Sequence, residues 1–310
     1  MKKEKIIIID SSSVIYRAFY ALPPLKNKKG ELANAVYGFL LVFLKAIREF
    51  QPDFIATCFD LPFPTFRHKK FKEYKGKRPP TPKDLYNQIP RVKKILKVFG
   101  VSTFEKKGFE ADDLIGTISR SFVQKKKKSQ AIILSGDLDL LQLVDKSTEV
   151  YLLKKGVKNT LLYNEKMVKE KYLGLEPAQL ADYRGLRGDP SDNIPGVSGV
   201  GEKTAISLLN EFKNIENLYN QLEKKKDLKT IKPRIKKLLL QQKSQAFLSK
   251  DLAEIRRRVP ITFTLKDCRW QKYDKKKVTK ALTDMGFESL LKRLPGLEEE
   301  EREERKLKLW

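Results

Sequence analysis

Three apolar runs in the first half of the chain each lead to an aspartate: residues 6–9 to Asp10, residues 54–59 to Asp60, and residues 131–134, through Ser135 and Gly136, to Asp137. Six more carboxylates stand in close sets: Glu110, Asp112 and Asp113 in GFEADD, Asp139 just beyond Asp137 in SGDLDLL, and Asp189 and Asp192 in GDPSD. Singly, each has an ordinary explanation, because Asp is common in turns and acids suit a helix N-terminus. Three strand-like runs ending the same way are less easily dismissed. Glu110 and Asp113 are three apart at the start of a helix-like segment, as are Asp189 and Asp192, a spacing that puts both on one helical face. Asp137 and Asp139 share a face where the backbone is extended. Nine carboxylates gathered in one pit would raise one another's pKa values. Hard divalent cations relieve that repulsion, and Mg²⁺ or Mn²⁺ favour carboxylate and water oxygens over His and Cys. Two or more such ions, a pair of them roughly 4 Å apart, activate water and stabilise the leaving oxygen in phosphodiester hydrolysis.

The rest of the composition fits a polyanionic substrate. The 310 residues carry 65 Lys and Arg against 39 Asp and Glu, a formal charge of +26. At 40% hydrophobic residues the chain can build a sizeable core, and its length suggests about two domains. No apolar run approaches the ~18 residues of a membrane helix. The apolar stretch after MKKEK is too short for a signal peptide, so a cytoplasmic protein is expected. Two Cys and one His make neither a disulfide scaffold nor a zinc site. Most basic runs read as solvated faces. Residues 67–78 (RHKKFKEYKGKR) differ, with seven cations, one acid and two interleaved aromatics, the mixture that suits single-stranded nucleic acid. Arg67, Lys70 and Tyr74 are its candidate contacts. Residues 297–305 hold six Glu and read as a solvated helix outside the core.

The apolar runs suit strands buried on both faces, as in a parallel sheet, where ligands bind at the carboxyl ends of the strands. Between them, residues 33–50 predict a helix stopping before Pro52. Residues 82–99 predict another, with Thr81 as N-cap, Pro82 in the first turn and Gly100 at the end. From residue 176 Lys- and Leu-rich helical patterns take over. The expected division is an α/β domain over 1–175, a mostly helical domain over 176–294 and a tail over 295–310.

Residues 194–205 (IPGVSGVGEKTA) come close to a phosphate-binding P-loop, but Glu202 between Gly201 and Lys203 breaks the pattern. A dinucleotide fingerprint fails as well, because Thr204 stands where the third Gly is needed. The better reading is a helix–hairpin–helix turn. Gly196, Gly199, Gly201 and Lys203 would let the N–H groups of the next helix approach a DNA phosphate without reading bases. An ordinary tight turn is the alternative.

In combination these motifs resemble the 5′-nuclease family, meaning the 5′→3′ exonuclease domain of bacterial DNA polymerase I and the flap endonucleases. The resemblance rests on SSSVIYRAFYALP (residues 11–23), AVYGFL (35–40), YKGKRPPTP (74–82), FEADD (109–113), SGDLDLLQL (135–143) and GDPSDNIPGVSGVGEKTA (188–205). It implies a PIN-like (Rossmann-like), mostly parallel sheet with a helical arch at about residues 61–100. A helical domain with a helix–three-turn–helix that binds duplex DNA would follow. It further implies that the nine acids are the metal ligands and that Lys75 and Arg78 contact the scissile phosphate. Tyr16, Arg17 and Tyr20 would line the substrate channel, and a K⁺ ion would sit near Val197 to Val200. Two departures stand out: Ser11 replaces a family Gly and could crowd the metals, and Leu138 replaces a basic residue.

The function expected is thus a metal-dependent, structure-selective 5′ nuclease acting on DNA 5′ flaps and duplex 5′ ends. Action on RNA primer ends in replication or repair follows from the family alone. With no polymerase-like sequence after Leu294, the expectation is a stand-alone, monomeric form with a separate DNA polymerase as partner. A PIN-type endoribonuclease and a catalytically silent DNA-binding module are the alternatives.

Overall fold

The computed structural model describes residues 3–126, 128–224, 230–270 and 273–295. The acidic run at 298–304 lies outside them. Strand β1 (Glu4–Asp10) leads into α1 (Ser11–Ala21), α2 (Asn34–Phe50) and β2 (Phe54–Cys58). The arch region holds three short helices, α3 (Phe66–Lys70), α4 (Lys83–Tyr86) and α5 (Ile89–Val98), ahead of β3 (Ser102–Phe104). Then come α6 (Ala111–Lys125), β4 (Ser129–Ser135), a 3-10 turn at Asp139–Leu143, β5 (Thr148–Leu153) and β6 (Thr160–Tyr163). The strands form one sheet in the order β3-β2-β1-β4-β5-β6, parallel except for the β5–β6 pair.

Alternation along β1 splits its isoleucines between two cores. Ile7 and Ile9 meet α1, α2 and α5 on one face, and Ile6 and Ile8 meet α6 on the other. Burial on both faces is why β1, β2 and β4 read as continuous apolar runs. Among the described residues no helix is long and apolar enough to cross a membrane.

The helical half comprises α7 (Glu165–Lys171), α8 (Leu180–Arg187), α9 (Glu202–Phe212), α10 (Ile215–Lys224), α11 (Pro233–Gln241) and α12 (Lys243–Ala253). Helices α8 to α12 enclose a core of their own around Leu186, Leu209, Tyr219 and Leu239. Beyond Ala253 the chain departs from the expected division. Ile255, Val259 and Cys268 return to the α6 side of the sheet, and the Ile55 amide donates to the Cys268 carbonyl at 2.7 Å. Helices α13 (Lys275–Asp284) and α14 (Glu288–Leu291) then place Val278, Leu282, Phe287 and Leu290 in the α2–α5 core. The apolar stripe of this segment matches a face that α2 and α5 leave open.

Two local expectations are also corrected. The single helix predicted over 82–99 is two, because Pro90 cannot continue a helix through the Tyr86 carbonyl. Gln88, at the break, is fully buried, and its Oε1 accepts from the amides of Ala35 and Val36 at the start of α2. Residues 137–139 are not extended. The Asp137 carboxylate accepts from the Asp139 amide at 2.9 Å and turns the chain into the 3-10 segment.

Candidate active site

Strands β2, β1 and β4 are neighbours, so their C-terminal ends bring Asp60, Asp10 and Asp137 together. Asp10 ends β1 and caps α1, accepting from the Ser13 amide at 3.1 Å and the Ser135 hydroxyl at 2.6 Å. Asp60 accepts from the Ala111 amide at 2.8 Å, which ties β2 to the start of α6, where Glu110 and Asp112 stand. These five carboxylates line one cavity of about 1120 Å³, together with Lys75 and Arg78 of the arch and Tyr16, Arg17 and Tyr20 of α1. Arg17 braces the cavity, donating to the Gly136 carbonyl at 2.7 Å and to the Lys154 carbonyl.

The other four carboxylates do not line the cavity. Each is paired with a cation instead. Asp113, fully buried, takes a bidentate grip from Arg67 at 2.8 and 2.9 Å. Asp139 and Asp189 share Arg184, at 2.7 and 3.3 Å. Asp192 accepts from Arg78 and, at 3.1 Å, from the Tyr74 hydroxyl, with the Lys75 ammonium 3.8 Å away. Among the described residues no three Asp, Glu, His or Cys side chains form a ready cation cage. The expectation of nine carboxylates converging on one pit is corrected accordingly: five converge, and four are drawn toward guanidinium and ammonium groups that offset their charge.

The electrostatics follow this division. Burial lifts the Asp10 carboxyl to about 7, with Asp60 and Asp137 adding to the rise. Asp112 is pushed well above the carboxylate range by burial and then by Asp10, Asp137 and Asp60. Burial also lifts Asp139 to about 7, against the pull of Arg184. Burial acts on Asp192 too, but Lys75 and Arg78 outweigh it and hold that carboxyl below its ordinary value. Of the acids facing the cavity, Glu110 is paired with Lys75 at 3.0 Å and Arg67 at 3.5 Å, while Asp10, Asp60, Asp112 and Asp137 form no ion pair among the described residues. Their donor set is all oxygen, which suits a hard divalent cation.

Three of the expected DNA contacts are placed inside the protein. Arg67 is 2% exposed and Tyr74 3%, with the Tyr74 hydroxyl spent on Glu110 and Asp192. Lys70 is exposed but paired with Asp251. Gly196 is buried, its amide donating to the Ser249 hydroxyl at 3.0 Å and its carbonyl accepting from Gln245 at 2.6 Å. A Cβ on it would stand 2.2 Å from the Gly188 nitrogen, so it fastens the hairpin rather than facing a ligand. Gly199, Gly201 and Lys203 are exposed, and Gly201 is the N-cap of α9. Ser11 does not crowd the cavity: its hydroxyl is buried without a partner and is no part of the lining. Leu138 packs on the α6-side core.

Lys75 takes a left-handed backbone, φ 56°, its amide pinned to the Asp192 carbonyl at 2.8 Å and its ammonium 3.0 Å from Glu110. A non-glycine residue held in that region is strained, and such strain clusters at functional sites. Sequence reasoning missed Arg184 and His68. Arg184 carried a faint signal, one helical turn ahead of Gly188 in the acidic motif. His68 carried another, three residues after Thr65 at a capping-box position.

A family model described as 5′-3′ exonuclease, N-terminal resolvase-like domain, matches residues 5–173, and one described as 5′-3′ exonuclease, C-terminal SAM fold, matches residues 175–276. DNA polymerase I of Bacillus caldotenax is 42% identical over 300 residues, which are 96% of this chain and 33% of that protein. DNA polymerase I of Bacillus subtilis (strain 168) is 41% identical over 293 residues, 94% of this chain and 32% of that one. The chain therefore spans about a third of the length of these curated relatives. Among solved structures, T5 5′-exonuclease with zinc bound has a TM-score of 0.67 at 16% identity, covering 94% of this chain and 96% of that one. The catalytic core of Rad2 in complex with DNA substrate has a TM-score of 0.57 at 20% identity, covering 91% of this chain and 88% of that one. These two likenesses are of fold.

Proposed function

The chain belongs to the 5′-3′ exonuclease family, and from that premise we propose that its acid-lined cavity hydrolyses phosphodiesters at DNA 5′ flaps and duplex 5′ ends, RNA-initiated ends included. One observation carries this reading. A single cavity joins five carboxylates, three at neighbouring strand ends and two at the start of α6, with Lys75 and Arg78 from the arch. Acids alone would repel a phosphate, and cations alone would only bind one.

Asp10, Asp60, Glu110, Asp112 and Asp137 are the residues proposed to hold Mg²⁺ or Mn²⁺. At Asp139, Asp189 and Asp192 a metal would compete with Arg184, Lys75 and Arg78. When bound, divalent ions supply positive charge to the reacting phosphate and acidify water. The protein's own part is positional. Lys75 and Arg78 present donors to the phosphate oxygens where charge develops in the transition state. Tyr74, kept neutral by burial and by Glu110 and Asp192, holds those two acids in place. The α9 N-terminus, with Gly199, Gly201 and Lys203, is the proposed grip on the duplex backbone. A K⁺ ion near Val197 to Val200 would have to share carbonyls, since those of Gly196 and Ser198 already accept from Gln245 and Gln242.

The test is cleavage of an end-labelled 5′-flap DNA with and without EDTA, beside a structured RNA and an Asp137→Asn variant. Expected is metal-dependent cutting near the flap junction, with the variant binding the flap but cutting it orders of magnitude more slowly. Wild-type rates from Asp137→Asn would refute the metal assignment, and preference for the RNA would favour the endoribonuclease reading.

A further inference from the structure

The chain contains one histidine, His68, and it lies on the wall of the catalytic cavity. The ring is held on two sides. Its Nδ1 lies 3.2 Å from the Thr65 backbone nitrogen and 3.0 Å from the Thr65 hydroxyl, closing a capping box at the start of α3. It packs perpendicular to the Tyr74 ring, with centroids 5.2 Å apart at 84°. Tyr74 is itself fixed by Glu110 and Asp192.

This geometry settles the tautomer. A backbone amide can only donate, so Nδ1 must accept, and the proton of the neutral ring sits on Nε2. Protonating Nδ1 would break the cap. Burial lowers the pKa of His68, Lys75 and Arg67 lower it further, and Glu110 alone opposes them, so the ring is neutral near pH 7. Among the described residues nothing accepts from Nε2–H. The result is an oriented, uncharged donor without a partner among the described residues, lining the same cavity as Lys75 and Glu110.

We propose that His68 binds the substrate strand directly, donating from Nε2–H to a non-bridging phosphate oxygen beside the one held by Lys75 and Arg78. This rests on the reading of the cavity as the DNA channel. A cation attracts any phosphate at any angle, whereas a single oriented N–H rewards only one placement of the backbone. His68 thus adds register to the attraction that the arch supplies.

A single histidine makes the test direct. In protein labelled with ¹⁵N-histidine, one ring gives one set of ¹H–¹⁵N correlations, expected in the Nε2–H pattern. Adding 5′-flap DNA in EDTA should shift Nε2 and leave Nδ1 as acceptor. Two variants separate binding from capping. His68→Gln keeps both an acceptor for the Thr65 amide and a donor for the phosphate. His68→Glu keeps the cap but not the donor. Both should melt like wild type. Flap affinity should stay within about threefold for Gln and fall about tenfold or more for Glu. Equal affinities for the two variants overturn the proposal. So does an unmoved Nε2 resonance in the DNA-bound wild type, even where the Glu variant binds weakly, because charge alone would do that. If the wild type fails to bind the flap at all, the channel reading falls and takes this one with it.

Discussion

Replacing Arg67 with Met should destabilise the metal-free protein by about 3–5 kcal/mol, the usual cost of stranding one partner of a buried ion pair. The guanidinium joins three parts of the chain. It holds both Asp113 oxygens at 2.8 and 2.9 Å, the Leu252 carbonyl at 2.7 Å and the Glu254 carbonyl at 2.9 Å. Without it, fully buried Asp113 keeps only the amides of Glu110 and Arg256, at 3.1 and 2.8 Å, and two carbonyls lose a donor. Methionine regains some apolar contact but no hydrogen bond. Total stabilities of about 5–15 kcal/mol leave little room for such a loss. Urea unfolding in EDTA, followed by circular dichroism, measures it. The double variant Arg67→Met/Asp113→Leu should unfold at a higher urea concentration than the sum of the single changes predicts, because no lone charge remains. A single-variant loss below about 1 kcal/mol, or strict additivity, would refute the claim that this pair is a structural latch. Were Asp113 a metal ligand instead, Asp113→Asn would alter the response to Mg²⁺ and leave the metal-free curve in place.

Stability should depend on pH in an unusual direction. Asp10 and Asp139 are raised to about 7 in the folded state, above the ~3.9 of an unfolded aspartate. Their contribution is full below the unfolded value and is lost as pH rises through 7. The metal-free protein should therefore melt at a higher temperature at pH 5.5 than at pH 7.5, and saturating Mg²⁺ should raise the pH 7.5 value most. A calorimetric profile flat in both pH and metal would count against the crowded carboxylates. The hairpin glycines should separate cleanly. Gly196→Ala, at φ +63° with its Cβ 2.2 Å from the Gly188 nitrogen, should destabilise the protein by more than about 1 kcal/mol in thermal melts. Gly201→Ala meets nothing within 4 Å and should melt like wild type. A fall in its duplex affinity would then report contact with a phosphate, and unchanged affinity would remove α9 from the interface.

The centre of the sheet was legible because burial on both faces leaves an unmistakable trace: the apolar runs at 6–9, 54–59 and 131–134 are three of its six strands, while their being neighbours, and the strands β3, β5 and β6, came from the structure. The acids were legible for a related reason, each standing beside the end of an element that could be located. The cations among them were not. Arg67 opens the most basic run in the chain, and the run suggests a surface. Yet its partner Asp113 lies 46 residues away, Arg78 meets Asp192 across 114, and Arg184 meets Asp139 across 45. No local pattern encodes such pairings, and charge density alone cannot tell a phosphate contact from an internal counter-ion. This distinction changes what the net charge means. Arg17, Arg67, Lys75, Arg78 and Arg184 stand among the nine carboxylates, leaving the site a formal four charges negative inside a protein of +26. Burial first, and then the neighbouring carboxylates, raise the pKa values of Asp10, Asp112 and Asp139. Two divalent ions would formally cancel the site's negative charge. On the proposed reading, exposed cations such as Lys69, Lys72 and Lys77 add to Lys75 and Arg78 in attracting DNA, and buried Arg67 is not among them.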